Sequence, residues 1–212
     1  MNLESLTKQL IQIESISPND AGCFDILESI LEGMNFSCER ISYKNVENLY
    51  AVIGSQGPTL CFLGHTDVVP TGPSDQWTYP PFSGETHDDH IYGRGAADMK
   101  GNICAFVEAL GSFLKTEKLN YRIAILLTSN EEGTPEDGFI DELLKELKSR
   151  GETIDYCLVG EPSSSLKVAD TIRIGRRGSL SGKLKIIGKQ GHIAYPEKII
   201  NPIFLVTDLI KI

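Results

Sequence analysis

Apolar residues return at helical intervals twice near the start of the chain: Leu3, Leu6, Leu10 and Ile13, then Phe24, Leu27, Leu31 and Met34. The Ser17-Pro18-Asn19-Asp20 break separates them, so the spacing predicts two amphipathic helices. Beyond Gly33, Phe36 to Ile41 and Leu49 to Ile53 read as strands, and Thr59 to Leu63 as a more buried strand ending at Gly64. The stretch from Val69 to Tyr92 is rich in Pro, Gly and aromatics, including Pro70, Trp77, Pro80 and Phe82. Its length favours a functional surface loop over a mere connector. Ile103, Phe106, Val107, Leu110 and Leu114 then predict a helix, Ile123 to Leu127 a buried strand, Ile140 to Leu147 a helix, and Tyr156 to Val159 a strand. Alternation of strand and helix predicts an α/β class with a mostly parallel sheet flanked by helices. After Glu161 the character changes. Thr171 to Gly175 and Leu180 to Ile187 read as strands of a second unit, and Asn201-Pro202 opens a helix whose buried face would hold Ile203, Val206 and Ile210. The expected division is 1–177 and 178–212.

Composition narrows the partners. The 212 residues carry a net charge of −9, and the pI is near 5.0. An acidic surface argues against nucleic acid and anionic membrane, both of which reward basic residues. Cys23, Cys38, Cys61, Cys104 and Cys157 are odd in number, widely spaced and mostly within apolar runs. They read as buried free thiols in a reducing compartment, not as metal ligands. Met1 leads straight into an amphipathic stretch and no apolar run approaches membrane-spanning length, so a soluble, cytoplasmic protein is expected.

Chemistry gathers at the predicted strand exits. Gly64-His65-Thr66-Asp67, Gly93-Arg94-Gly95-Ala96-Ala97-Asp98-Met99-Lys100-Gly101, Glu131-Glu132-Gly133 and Gly160-Glu161-Pro162 follow in order, most of them just after an apolar run. In an open α/β sheet, ligands bind beyond the carboxyl ends of the strands, where His65, Asp67, Glu131, Glu132 and Glu161 fall. One imidazole with several carboxylates suits zinc or a similar divalent ion. Two such ions ~3.5–4 Å apart can act together on a carbonyl. Taken singly the motifs have plainer readings: Asp67 as a turn former, Asp98 as a helix cap, Glu131-Glu132 as solvated acids. His87 and His90, beside Asp88 and Asp89 in an acidic loop, read as surface residues.

These four motifs in order resemble the M20-type metallohydrolases. The resemblance implies a zinc-peptidase-like catalytic domain followed by the start of an α+β lid and dimerisation domain. It implies His65, Asp98 and Glu161 as ligands of one metal, Asp98 and Glu132 as ligands of a second, and Asp67 as the group that orients His65. It further implies Glu131 as general base, Arg176, Ser179 and Tyr195 as substrate contacts, and His192 as a lid histidine that stabilises the oxyanion in a partner subunit's site. A cis Asp98-Met99 peptide is expected on the same ground. Arg176-Arg177-Gly178-Ser179, which read alone is a solvated basic turn, and the run from Gly191 to Pro196 favour the branch that removes succinate from N-succinyl-diaminopimelate over acetylornithine-type deacylases. Asn130 stands where Asp commonly precedes the Glu pair. The implied cofactors are two zinc ions, with cobalt an alternative, and the implied assembly at full length is a homodimer acting on a small N-acyl amino acid. No histidine follows His192 to complete the second metal site, so one tightly held ion and an essentially inactive fragment are expected; a non-catalytic metal-binding fragment is the remaining alternative.

Overall fold

The structure, a computed structural model, describes residues 2–134, 140–175, 178, 180, 182–207, 209 and 210. Two compact units emerge, Met1–Asp170 and Thr171–Ile212.

The first unit opens with α1 (Leu3–Ile11), capped by Asn2, whose side chain accepts the Ser5 amide at 3.2 Å. Helix α2 (Cys23–Gly33) is held at its start by the buried Asp20 carboxylate, which accepts the Gly22 and Phe24 amides at 3.0 and 2.9 Å. Strands β1 (Ser37–Tyr43) and β2 (Val46–Ile53) form a hairpin across Lys44-Asn45, with Lys44 at positive φ. Next come β3 (Thr59–His65) and, on the long loop, the small hairpin β4 (Glu85–His87) and β5 (His90–Tyr92). A five-residue turn, Ala96–Lys100, leads into α3 (Gly101–Thr116). The unit is completed by β6 (Arg122–Thr128), α4 (Ile140–Ser149) and β7 (Tyr156–Val159).

The sheet order is β1-β2-β6-β3-β7. Strands β6, β3 and β7 run parallel, whereas β1 and β2 pair antiparallel, so the sheet is mixed. The two-residue hairpin turn is the cause, because a parallel pair would need a long crossover. Helices cover both faces. Leu6, Leu10, Phe24, Leu27, Leu31, Ile103 and Val107 pack with Leu49, Phe62, Ile123, Ile125 and Leu127 on one side. On the other, Leu143 and Leu147 of α4 pack with Ile41, Tyr50, Cys61, Ala124 and Leu126. Alternation along β6 sends Ile123, Ile125 and Leu127 to one layer and Ala124 and Leu126 to the other. Because β3, β6 and β7 are parallel, their carboxyl ends share one edge. Among the described residues no helix is long and apolar enough to cross a membrane.

The second unit departs from the sequence reading. Neither Thr171 to Gly175 nor the described part of Leu180 to Ile187 forms a strand, and among the described residues of this unit the one bridge is Lys189 with Ile200. Leu184 and Ile186 alternate with Lys183 and Lys185 but find no partner strand among the described residues, so the period-2 pattern has nothing to pair with. Helix α5 (Pro202–Thr207) starts where Asn201-Pro202 places it, with the Asn201 side chain accepting the Ile203 amide at 3.0 Å. Its apolar face is largely unburied: Ile203 and Phe204 are exposed and Val206 is half-buried, while Ile210, beyond the helix, is exposed. The cysteines also divide, Cys23, Cys61 and Cys104 being buried, Cys38 intermediate and Cys157 exposed on β7.

Candidate metal centre

His65 closes β3 and is buried with Asp67. Its Nδ1 lies 2.9 Å from the Asp67 backbone carbonyl and 3.5 Å from the Asp67 carboxylate. An N–H donated to that carbonyl fixes the tautomer and leaves Nε2 with its lone pair outward. Nε2 faces Asp98 Oδ1 at 3.1 Å and Glu161 Oε1 at 3.3 Å. Ligand atoms of His65, Asp98 and Glu132 lie within 4.8 Å of one another, as do those of His65, Glu131 and Glu161. Residues from four separate segments thus converge on one imidazole.

Asp67 does more than orient a ring. Its carboxylate accepts the Glu131 amide at 3.0 Å and the Glu132 amide at 3.1 Å, and also the Ser17 hydroxyl. It therefore ties the exit of β6 to the exit of β3. Ser17 belongs to a turn with a cis Ser17-Pro18 bond, and that turn also receives the Ser129 hydroxyl on the Pro18 carbonyl at 2.7 Å. Nothing local in the sequence marks Ser17, since its partner is fifty positions away.

Asp98 is carried by the Ala96–Lys100 turn, in which the Asp98-Met99 peptide is cis, as the family resemblance implied. Met99 is buried directly beneath the site, its Sδ 3.3 Å from the His65 amide. A side chain at Gly64 would meet the Met99 methyl at 2.5 Å, and one at Gly160 would meet that methyl at 2.5 Å and the Phe62 ring at 2.4 Å. Both glycines beside the ligands are therefore required by close packing. Lys100, fully buried, donates to the Leu10 and Ile13 carbonyls, both at 2.8 Å, and burial holds its pKa below the usual lysine value. Asn102 secures the other flank, donating to the Gly160 carbonyl at 2.7 Å next to Glu161.

Electrostatics complete the picture. Burial opposes charge on His65, but hydrogen bonds to Asp67 and Glu161 overcome it and raise the imidazole to about 11. Burial first, then the Glu161 charge, pushes Asp98 above the usual carboxylate range. Glu131 is raised by burial, and Glu132 by burial and the Asp98 charge. Asp67 is held low despite burial, through His65, Ser17 and the Glu131 amide. Several acids repelling one another around a single imidazole form a donor set that fits a divalent cation, and oxygen and nitrogen ligands suit zinc or cobalt.

His192 and Tyr195 are in the second unit, both exposed, with His192 Nδ1 accepting the Ala194 amide at 3.1 Å. Arg176 and Ser179, like Arg177, lie outside the described residues. His87 is on the β4–β5 hairpin, stacked on Tyr79 and 2.9 Å from Glu85, and His90 is exposed beside it.

A helix-flanked mixed sheet with an imidazole and carboxylates at its strand exits defines a metallohydrolase scaffold. Residues 61–199 match the model of peptidase family M20/M25/M40, and the chain belongs to that family. It is 50% identical over 207 residues to the succinyl-diaminopimelate desuccinylase of Methylobacillus flagellatus, covering 97% of this chain and 55% of that protein. It is also 50% identical over 200 residues to the protein of the same name from Psychromonas ingrahamii, covering 94% of this chain and 53% of the relative. The chain spans about half the length of the curated relatives it matches. Among solved structures, human carnosine dipeptidase 1 shares the fold at a TM-score of 0.67 and 24% identity, over 79% of this chain and 39% of that one. The M20 family metallo-carboxypeptidase Sso-CP2 from Sulfolobus solfataricus does so at a TM-score of 0.66 and 24% identity, over 77% and 38%.

Proposed function

We propose that the protein to which this chain contributes hydrolyses N-succinyl-LL-2,6-diaminopimelate to succinate and LL-2,6-diaminopimelate, a step toward lysine. The observation that carries this reading is the identity of about 50%, along nearly the whole chain, with relatives named succinyl-diaminopimelate desuccinylase. The converging acids around His65 support it chemically.

In this reading His65, Asp98 and Glu161 hold one zinc, and Asp98 with Glu132 contributes to a second. Bound ions supply Lewis-acid polarisation of the amide carbonyl and increase the acidity of water. Glu131 takes the proton from the attacking water as its oxygen bonds to the carbonyl carbon. Glu131 then returns that proton to the nitrogen as the C–N bond breaks, releasing succinate and the free amine. Its raised pKa brings the carboxyl nearer to neutral pH, which suits a group that must accept a proton and then release it. Asp67 keeps the Glu131 amide and the His65 ring in place throughout. Arg176 and Ser179 are assigned to substrate carboxylates, a task for which a guanidinium is well shaped, and Tyr195 to the same pocket. His192 is assigned to the oxyanion in a homodimer.

The test joins this chain to the remaining half of the Methylobacillus flagellatus relative, loads the chimera with zinc, and measures succinate release. Turnover of N-succinyl-diaminopimelate well above that of N-acetylornithine is the expected result. Equal or reversed preference would overturn the substrate assignment, and no hydrolysis of either by a folded, zinc-loaded chimera would overturn the enzyme reading.

A further inference from the structure

Cys61 and Cys157 occupy paired positions on adjacent parallel strands, β3 and β7. Neighbouring strands lie ~4.8 Å apart, and partners in register project to the same face. Both cysteines are free, neither being in a disulfide. They differ in access. Cys61 is buried against Ala124, Leu126, Leu143 and Leu147, whereas Cys157 is exposed. Each cysteine is also four residues upstream of a residue of the metal centre, Cys61 of His65 and Cys157 of Glu161. Those two side chains face each other at 3.3 Å between Nε2 and Oε1.

We propose that Cys61 and Cys157 form a peroxide-oxidisable dithiol whose disulfide loosens the metal centre at the ends of the same two strands. The chemistry starts at the exposed thiol. Hydrogen bonding from Cys61 lowers Cys157 to about 7, against the opposing effect of burial, so much of it is thiolate near neutral pH. The Cys157 thiolate attacks one oxygen of hydrogen peroxide, the O–O bond breaks, and the leaving hydroxide takes up a proton as water. The resulting sulfenic acid is attacked by the Cys61 sulfur, which gives up its proton, and a second water leaves as the S–S bond forms. Two thiols lose two electrons and two protons, and one peroxide becomes two waters. A thiol reductant reverses the change.

The strand geometry provides the coupling. A separation of ~4.8 Å lies inside the range that a disulfide tolerates but short of its preferred ~5.5–6 Å. Bond formation also needs Cβ atoms ~3.5–4.5 Å apart, closer than in-register partners hold them, and therefore shifts and tilts β7 against β3 by up to about an ångström, roughly 13 Å upstream of His65 and Glu161 at ~3.3 Å per residue. Among the described residues β7 ends the sheet order and pairs with β3 alone, so in this chain it is the strand able to shift. A ligand pair displaced on that scale loses the tight geometry that a metal site needs. The oxidation step is independent of the proposed activity; the loosening step rests on reading His65 and Glu161 as ligands.

The experiment treats the folded 212-residue chain with a small excess of hydrogen peroxide and reads two quantities. Peptide mapping should find a fragment that joins Cys61 to Cys157, with a mass loss of two hydrogens reversed by reductant. Zinc affinity, from competition with a chromophoric chelator, should fall about tenfold or more on oxidation and recover on reduction. In Cys157→Ser both changes should vanish, at a position exposed enough for the substitution to leave the fold intact. Oxidation that leaves Cys61 and Cys157 unlinked while other thiols react would overturn the dithiol assignment. A formed disulfide with unchanged zinc affinity would overturn the coupling, even if a separate measurement on His65→Ala confirms His65 as a ligand.

Discussion

Replacing Asp67 with Asn tests whether the strand exits are tied together as the hydrogen bonds indicate. The carboxylate is fully buried and accepts the Glu131 and Glu132 amides at 3.0 and 3.1 Å, along with the Ser17 hydroxyl. An amide of the same shape offers only one oxygen. Either Glu131 or Glu132 with Ser17 must then face an NH2 group, donor against donor. Each lost hydrogen bond to a charged group costs about 1.5–3 kcal/mol. The charge opposite His65 is lost as well, and removing a ligand's supporting partner typically lowers metal affinity ~10–100-fold. The assay pairs chelator competition for zinc with thermal unfolding of zinc-free and zinc-loaded protein. Both zinc affinity and stability should fall, and Ser17→Ala should show a smaller version of the same pattern. A variant that unfolds earlier yet binds zinc as before would refute the coupling and leave Asp67 as a fold residue only.

Four further outcomes follow from the same geometry. His65→Ala should empty the site that His65 shares with Asp98 and Glu161, and elemental analysis showing unchanged zinc would make His65 merely structural. Metal-free protein should lose stability as pH rises. The folded-state pKa of His65, raised to about 11 against the opposing effect of burial by Asp67 and Glu161, means its charge contributes fully below the ordinary value of 6.5 and is lost toward 11. Zinc competes with that same proton, so affinity should climb between about pH 6 and about pH 9, and a flat profile would contradict the assignment. Gly160→Ala should cost about 1–3 kcal/mol, because its new methyl group would lie 2.4 Å from the Phe62 ring and 2.5 Å from the Met99 methyl. A calorimetric unfolding temperature equal to that of the unsubstituted protein would show that the neighbours yield freely.

The helices of the first unit were legible because their apolar faces repeat at 3.6 residues, and α1, α2, α3 and α4 fall within a few residues of the predicted spans. Strand direction was not legible. Strands β3 and β6 are apolar on both faces because helices cover both, so alternation could not reveal orientation, and the Lys44-Asn45 turn was the one local signal for the antiparallel hairpin. Glu131, Glu132 and Glu161 stood out because each follows an apolar run. The contacts of Ser17, Met99, Lys100 and Asn102 were not legible, since they depend on partners brought close only by folding. Leu180 to Ile187 shows the opposite failure: a strand pattern is present, but no partner strand among the described residues pairs with it.

Glu131→Gln, made in the chimera with the Methylobacillus flagellatus relative, separates holding a metal from moving a proton. Zinc content and succinate release are measured on the same sample. The substituted protein should keep the zinc content of its parent and lose about 10²–10⁴-fold in turnover, because an amide cannot take a proton from water and return it to the leaving amine. Undiminished turnover would contradict the role of Glu131 as base, and lost zinc with residual proton transfer would mean that Glu131 and Glu132 have exchanged roles.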